Sequence, residues 1–373
     1  MKVALLSDCY LPRLGGIEVQ VHDLAVNLRD RGHDVEVFTA TPGAGGRRRG
    51  TVDAVDGVAV HRFDIPLPGG LPVNPLAPPE VRRRLRDGGF DVAHIHMGVV
   101  SPFAMDMARV SLGLAMPTAV TWHCVLERSR PLMRALGYAG RWARRGAALS
   151  AVSAMAARHV ADIAAGAPVA VLPDGIDASR WARQGVRAAG AGGPVRVTTA
   201  MRLALRKRPA ALVDVVARAN EMVPAGARFS VDVFGDGPQR AAVQRRVDRA
   251  GLSGVVTLRG RVPRAVLLAA HHDADLYLSP ARLEAFGVAA LEARTAGLPV
   301  VARRGTGVED FVVDGVNGLL ADDDEGLARA LARLVAEPDL RARITRTNTA
   351  DAPEQDWPRV VDATLAEYRR AGA

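Results

Sequence analysis

Along almost the whole chain, short β-branched or apolar runs alternate with segments of helical spacing, and this alternation narrows the fold more than any other feature. Strands that return in the same direction need a crossover between them, so strands separated by helices build parallel sheets covered by helices. The first repeat is the cleanest. Lys2–Ser7 reads as a buried strand and Asp8–Gly16 as a loop. Ile17, Val21, Leu24, Ala25 and Leu28 then mark one helical face, closed by Gly32, before Asp34–Thr39 resumes as strand. Further strands are predicted at Val58–Arg62, Asp91–His96, Pro117–Trp122, Ala148–Ser153 and Val169–Leu172.

A glycine-rich stretch, Arg187–Pro194, reads as a linker and opens a second series. Its strands are predicted at Val195–Ala200, Arg228–Phe234, Val255–Arg259, Asp275–Ser279, Leu298–Ala302 and Gly318–Leu320. A chain of 373 residues has room for two such domains. They are expected over 1–186, joined by a C-terminal helix within 355–373, and over 187–354. The segment Trp357–Arg370 carries the helical pattern and is expected to pack across the boundary. Doubly wound sheets bind ligands at the carboxyl ends of their strands, so a cleft between the two is expected.

The net charge of +9 and pI near 10.5 point to an anionic partner: nucleic acid, an acidic membrane surface or a phosphorylated substrate. Nucleic acid fits worst, because aromatic stacking platforms are scarce at 4% aromatic content. The apolar start is too short for a signal peptide, and no run approaches the roughly 20 residues of a membrane span. Cys9 and Cys124 have neither zinc nor disulfide-framework spacing, so a reducing cytoplasm is expected.

Lys207 is one of two lysines among forty-nine basic residues. Lysine is a compact point charge and arginine a planar fork, so its survival next to Arg202 marks a phosphate site, with a solvated basic turn as the alternative. Downstream, Glu284 and Glu292 stand eight positions apart across Phe286-Gly287-Val288, after a predicted strand and into a helix expected over Val288–Ala296. Free amides at that helix start form an anion site where Gly287 admits close approach. Glu284 would lie beside a sugar. Glu292, about two turns in, would reach ribose hydroxyls. The plainer alternative is a pair of solvated glutamates.

Leu14-Gly15-Gly16 allows backbone approach to a phosphate, or merely a tight turn. His123, just past a strand end, is placed to bond a substrate hydroxyl or meet developing positive charge. His94 and His96 are expected on opposite strand faces, and so not as a metal pair. Asp273-Ala274-Asp275 has metal-transferase spacing, but Asp275 opens a strand and reads as structural. Asp322-Asp323-Asp324 reads as a helix cap and solvated loop. Leu132, Leu136, Ala143 and Ala147 are expected on one helix face, opposite Arg134, Arg141 and Arg145. With the arginines of Val81–Arg86, this face either contacts anionic lipid or packs on the first domain.

In this order the motifs resemble those of the retaining glycosyltransferases of family 4. The matching segments are Leu14-Gly15-Gly16, Arg31-Gly32-His33, Asp91–His96, Thr121–His123, Val152-Ser153, Leu172–Asp177, Arg202 with Lys207, Gly235–Pro238, Glu284–Glu292, Gly297–Ala302 and Asp314–Leu320. The resemblance spans nearly the full length. It implies the GT-B fold of two Rossmann-like α/β domains facing across a cleft, a nucleotide diphosphate sugar as donor, and no metal or other cofactor. It further implies that Arg202 and Lys207 bind the diphosphate, with backbone at Gly16 and Phe286–Val288. Glu284 then contacts the sugar, Glu292 the ribose, Arg261-Val262 the base, and His123 is the active-site histidine. The acceptor hydroxyl is expected on a small molecule, natural product or lipid, with peripheral membrane contact in the last case. The family usually has Asn at Asp174 and Gly-Gly at Gly305-Thr306-Gly307.

Three other readings compete. A GT-B epimerase or phosphorylase would share the fold. A non-catalytic nucleotide-sugar or membrane-binding module would bind without turnover. A dinucleotide oxidoreductase is disfavoured, since no G-x-G-x-x-G follows a strand.

Overall fold

The computed structural model describes residues 1–13, 15–44, 51–65, 72–183 and 193–373. Leu14 and residues 187–192 of the expected linker, with the expected 186/187 division, lie outside the described residues. The chain forms two compact units: Met1–Gly175 with Gln355–Ala373, and Ile176–Glu354. Ile176–Arg183 thus belongs to the second unit, where Trp181 is buried and Arg183 donates to the backbone oxygens of His271 and Ala274.

In the first unit the elements are β1 (Lys2–Ser7), α1 (Gly16–Asp30), β2 (Asp34–Thr39), β3 (Thr51–Val55), β4 (Val58–Arg62), α2 (Pro78–Asp87) and β5 (Val92–Met97). They continue with α3 (Pro102–Gly113), β6 (Thr118–Trp122), α4 (Arg130–Leu136), α5 (Tyr138–Arg144), β7 (Ala148–Ala151), α6 (Ala154–Ile163) and β8 (Val169–Val171). The sheet order is β3-β4-β2-β1-β5-β6-β7-β8. Every pair is parallel except β3 with β4, an antiparallel edge hairpin that the helix–strand alternation does not predict.

The second unit contains α7 (Ala178–Trp181), β9 (Val195–Ala200), α8 (Pro209–Met222), β10 (Phe229–Phe234), α9 (Arg240–Arg249), β11 (Val256–Gly260), α10 (Arg264–Asp273) and β12 (Leu276–Leu278). It ends with α11 (Val288–Thr295), β13 (Val300–Arg303), β14 (Gly318–Ala321), α12 (Asp324–Ala336) and α13 (Pro338–Ala350). Its six strands are all parallel in the order β11-β10-β9-β12-β13-β14, the Rossmann arrangement in which the chain reverses its march beside the first strand.

The last helix, α14 (Trp357–Arg370), returns to the first unit. Its buried Trp357, Val360, Val361 and Tyr368 join the core formed by Val3, Leu5, Val21 and Leu28. Burying a side chain as large as tryptophan contributes about 2–3 kcal/mol. Gln20 clamps the chain at the domain edge: its amide donates to the Gly175 oxygen at 2.9 Å and accepts from the Gly175 amide at 2.8 Å.

The expected single helix across 132–147 is two short ones, broken at Gly137, whose φ of 59° is left-handed. The buried face is Met133, Tyr138, Ala139 and Trp142, while Leu132 and Leu136 are exposed. The break rotates the second helix relative to the first, so spacing counted through Gly137 mixes two faces. Among the described residues no helix is long and apolar enough to cross a membrane.

Candidate active site

In the second unit, β9 and β12 are hydrogen-bonded neighbours, although two strands separate them in the chain. This is the topological switch point, where loops leaving adjacent strands diverge and open a crevice at their carboxyl ends. The loop after β9 carries Arg202 and Lys207, and the loop after β12 carries Glu284. Seventy-seven residues apart in sequence, Lys207 Nζ donates to Glu284 Oε2 at 2.6 Å. Both side chains are partly shielded, at 24% and 18% exposure. Arg202 is exposed in the same loop.

Two braces hold this arrangement. Arg208, next to Lys207, donates both guanidinium nitrogens to the Asp324 carboxylate at 2.8 and 2.6 Å, and one also reaches the Pro280 oxygen at 3.2 Å. Arg303, at the end of β13, donates to the same Asp324 at 2.8 Å. These contacts, Arg208 first, hold the Asp324 carboxyl below its ordinary range. Asp323 caps α12 by accepting from the Gly326 amide at 2.7 Å. Asp324 is therefore not part of a solvated loop but ties three strand-end loops together.

Helix α11 begins at Val288, and its N-cap Gly287 has φ 102°, a left-handed value that a side chain would strain. The turn leaves the first amides of the helix without intrahelical partners beside Glu284. Phe286 contributes backbone only, since its ring is buried against Phe311. Gly307 N donates to the Glu284 main-chain carbonyl oxygen at 2.9 Å and seats the β13 loop against the β12 loop. Glu292 sits one turn, not two, into α11, four residues beyond its first residue, Val288. It is buried, with Arg264 Nη2 3.2 Å away at the start of α10. Arg261 is exposed and Val262 half-buried between β11 and α10, on the same sheet edge. Asp275 lies at the opposite edge, where it accepts from the Arg196 amide at 2.8 Å, which is a structural role.

In the first unit, His123 follows β6. Its Nδ1 lies 3.0 Å from Asp174 Oδ1 and its Nε2 3.0 Å from His96 Nδ1. Both ring nitrogens are thus engaged within the unit, and the ring is 8% exposed. Residues two apart on a strand share a face, so His94 and His96 are neighbours and not opposed as expected; their ring centroids lie 4.1 Å apart. His94 reaches Tyr368 of α14 at 3.0 Å and Thr121 at 2.7 Å. Burial drives His94 down to about 3 and His96 well below the usual range, so both rings are neutral.

Asp174 and His96 were not recognised as partners of His123. Only the departure of Asp174 from the usual Asn marks the pair in the sequence. Asp8, at the end of β1, is also new: burial raises its carboxyl to about 7, while Oδ1 accepts from the Phe103 amide at 3.0 Å. Asp8 stands at the first sheet's own switch point, between β1 and β5, and its burial is not visible in the sequence. Gly16 is the first residue of α1, with open space where a Cβ would stand. The buried Glu18 of that first turn packs against Gly15 and pairs with Arg13 at 3.1 Å. Among the described residues no group of three His, Cys, Asp or Glu is arranged to hold a metal ion.

The model of Glycosyltransferase Family 4 matches residues 14–180, and that of Glycosyl transferases group 1 matches residues 189–351. The chain is 30% identical over 396 residues to D-inositol 3-phosphate glycosyltransferase of Saccharomonospora viridis, covering 96% of this chain and 90% of the relative. It is 27% identical over 383 residues to phosphatidyl-myo-inositol mannosyltransferase of Mycolicibacterium smegmatis, covering 98% and 92%. Among solved structures, HepE from Anabaena in complex with UDP matches with a TM-score of 0.75 at 21% identity, covering 98% of this chain and 99% of that one. That likeness is one of fold: two parallel-sheet α/β domains of the GT-B class.

Proposed function

The chain belongs to glycosyltransferase family 4, and from that premise we propose that it moves a hexose-type unit, with retention, from a nucleoside diphosphate sugar to an acceptor hydroxyl. The observation that carries this reading is the meeting of Lys207 and Glu284 at the switch point of the second sheet, beside the free amides of α11. A cation for the leaving diphosphate and a carboxylate for the sugar hydroxyls stand within one contact of each other. HepE, of the same fold, is described with UDP and with UDP-glucose, which supports this donor class.

In this reading the bond from the anomeric carbon to the diphosphate oxygen breaks as the acceptor oxygen attacks from the same side. The acceptor proton passes to the departing β-phosphate oxygen. Negative charge grows on the diphosphate, and Lys207, Arg202 and the amides of Gly287 and Val288 stabilise it there more than in the ground state. Fixed cations in that position make a divalent metal unnecessary. Glu292, held by Arg264, serves the ribose, and the Arg261-Val262 strand end borders the base. The Asp174–His123–His96 chain belongs to the acceptor-side unit. The relatives named for inositol-bearing acceptors make an anionic polyol, free or lipid-linked, the first acceptor class to test.

Lys207→Ala and Glu284→Ala should each lower donor turnover by about 10²–10³-fold, the usual effect of removing one transition-state contact. EDTA should leave turnover intact. Near-normal rates in either variant, or a strict divalent requirement, would overturn the assignment.

A further inference from the structure

The cation assigned to the diphosphate is already occupied. Lys207 Nζ sits on Glu284 Oε2 at 2.6 Å, Arg208 is committed to Asp324 and Arg264 to Glu292, and Arg202 stands exposed at the loop surface. An arriving diphosphate must share or take the Lys207 ammonium with a carboxylate standing next to it. The two possible occupants differ in charge. In a sugar nucleotide the second phosphate is an ester. In the bare product it is a free monoester-like group that gains a further negative charge above about pH 6. Glu284 therefore repels the product more than the donor, and only the donor offers sugar hydroxyls for the displaced carboxylate to accept from.

Resting on the donor reading above, we infer that Glu284 is an internal counterion of Lys207 that discriminates the intact donor from the spent nucleoside diphosphate and so drives product release. The carboxylate gives up the ammonium when a donor enters, binds the sugar, and takes the ammonium back once the sugar has gone. The same contact thus opposes product inhibition at a site built to hold anions.

Titration calorimetry with UDP and UDP-glucose, and with the corresponding guanosine pair, tests this on the full chain. Glu284→Gln keeps the shape and removes the charge. It should bind the bare diphosphate about two- to fivefold tighter than wild type, the range of a solvent-accessible ion pair. It should bind the sugar nucleotide no tighter, so the preference for the donor over the bare diphosphate falls by at least that factor. Glu284→Ala gives the same reading should the glutamine variant not fold. Lys207→Ala should weaken both ligands. A Glu284 variant that binds the bare diphosphate equally or more weakly ends the counterion role. A wild-type protein that binds no nucleotide of either kind removes the donor reading instead.

Discussion

Replacing Gly307 by alanine tests whether backbone packing sets the position of Glu284. Gly307 N donates to the Glu284 main-chain carbonyl oxygen at 2.9 Å, so the two loops already touch. A methyl group at Gly307 would stand 2.5 Å from the Ala285 carbonyl carbon and 2.7 Å from Phe286 Cα, with the Ala285 oxygen closer still. Ordinary contact begins at 3.4 Å, so the Ala285 carbon must retreat by at least about 0.9 Å. Backbone has no alternative rotamer, so the loop itself must move. Overpacking of this kind costs about 1–3 kcal/mol, and a unit of this size melts about 2–4 °C lower per kcal/mol. A displacement near 1 Å at a group that must register with the reacting centre costs on the order of 10²-fold in rate. Gly307→Ala should therefore lower kcat/KM for the sugar nucleotide by about 100-fold while the melting point falls by only about 2–12 °C. Gly315→Ala is the matched control. Its φ of 74° makes any side chain strained, at about 1–2 kcal/mol, yet no atom lies within 4 Å of the new methyl. It should melt lower and turn over normally. Equal losses of turnover in both variants would show that stability alone is being read. Unchanged turnover in Gly307→Ala would show that packing of the β13 loop does not locate Glu284.

Acid should destabilise the fold before carboxylate protonation becomes the main effect. His94 and His271 are held down to about 3 by burial, with His96 shifted the same way, whereas an unfolded chain binds these protons below about 6.5. Their contribution is present above 6.5 and is lost as pH falls from there towards 3. Asp8, raised to about 7, acts in the opposite sense between about 4 and 7, against five histidines once His33 and His159, also lowered by desolvation, are included. Melting points between pH 8 and 4 should fall steadily, and His271→Gln should flatten the slope; a level profile would contradict neutral buried rings. Exposed Leu132 and Leu136 beside Arg134 should favour anionic vesicles over neutral ones, and Leu132→Ser with Leu136→Ser should remove the difference. Equal retention on both lipids would leave no role for that surface.

The fold class was legible because it rests on local patterning. Apolar runs and helical periodicities predict parallel strands within a residue or two, as at Lys2–Ser7 and Val195–Ala200. The β3 edge strand escaped because a hairpin edge buries little and so carries a weaker signal. The expected amphipathic face on 132–147 failed for a related reason, since one left-handed glycine resets the phase of a helix. His94 and His96 were misread by a face rule that the two-residue period of a strand corrects.

The candidate site divides along the same line. Residue type and loop position, Lys207 after one strand and Glu284 after another, could be read from the chain itself, because a parallel sheet sends all its following loops to one edge. That these two side chains pair, that Asp174 and His96 hold His123, and that burial neutralises the histidines and raises Asp8 were settled only by tertiary structure. Ion pairs and desolvation depend on distances between residues far apart in sequence, and those distances exist only once the strands have taken their order in the sheet.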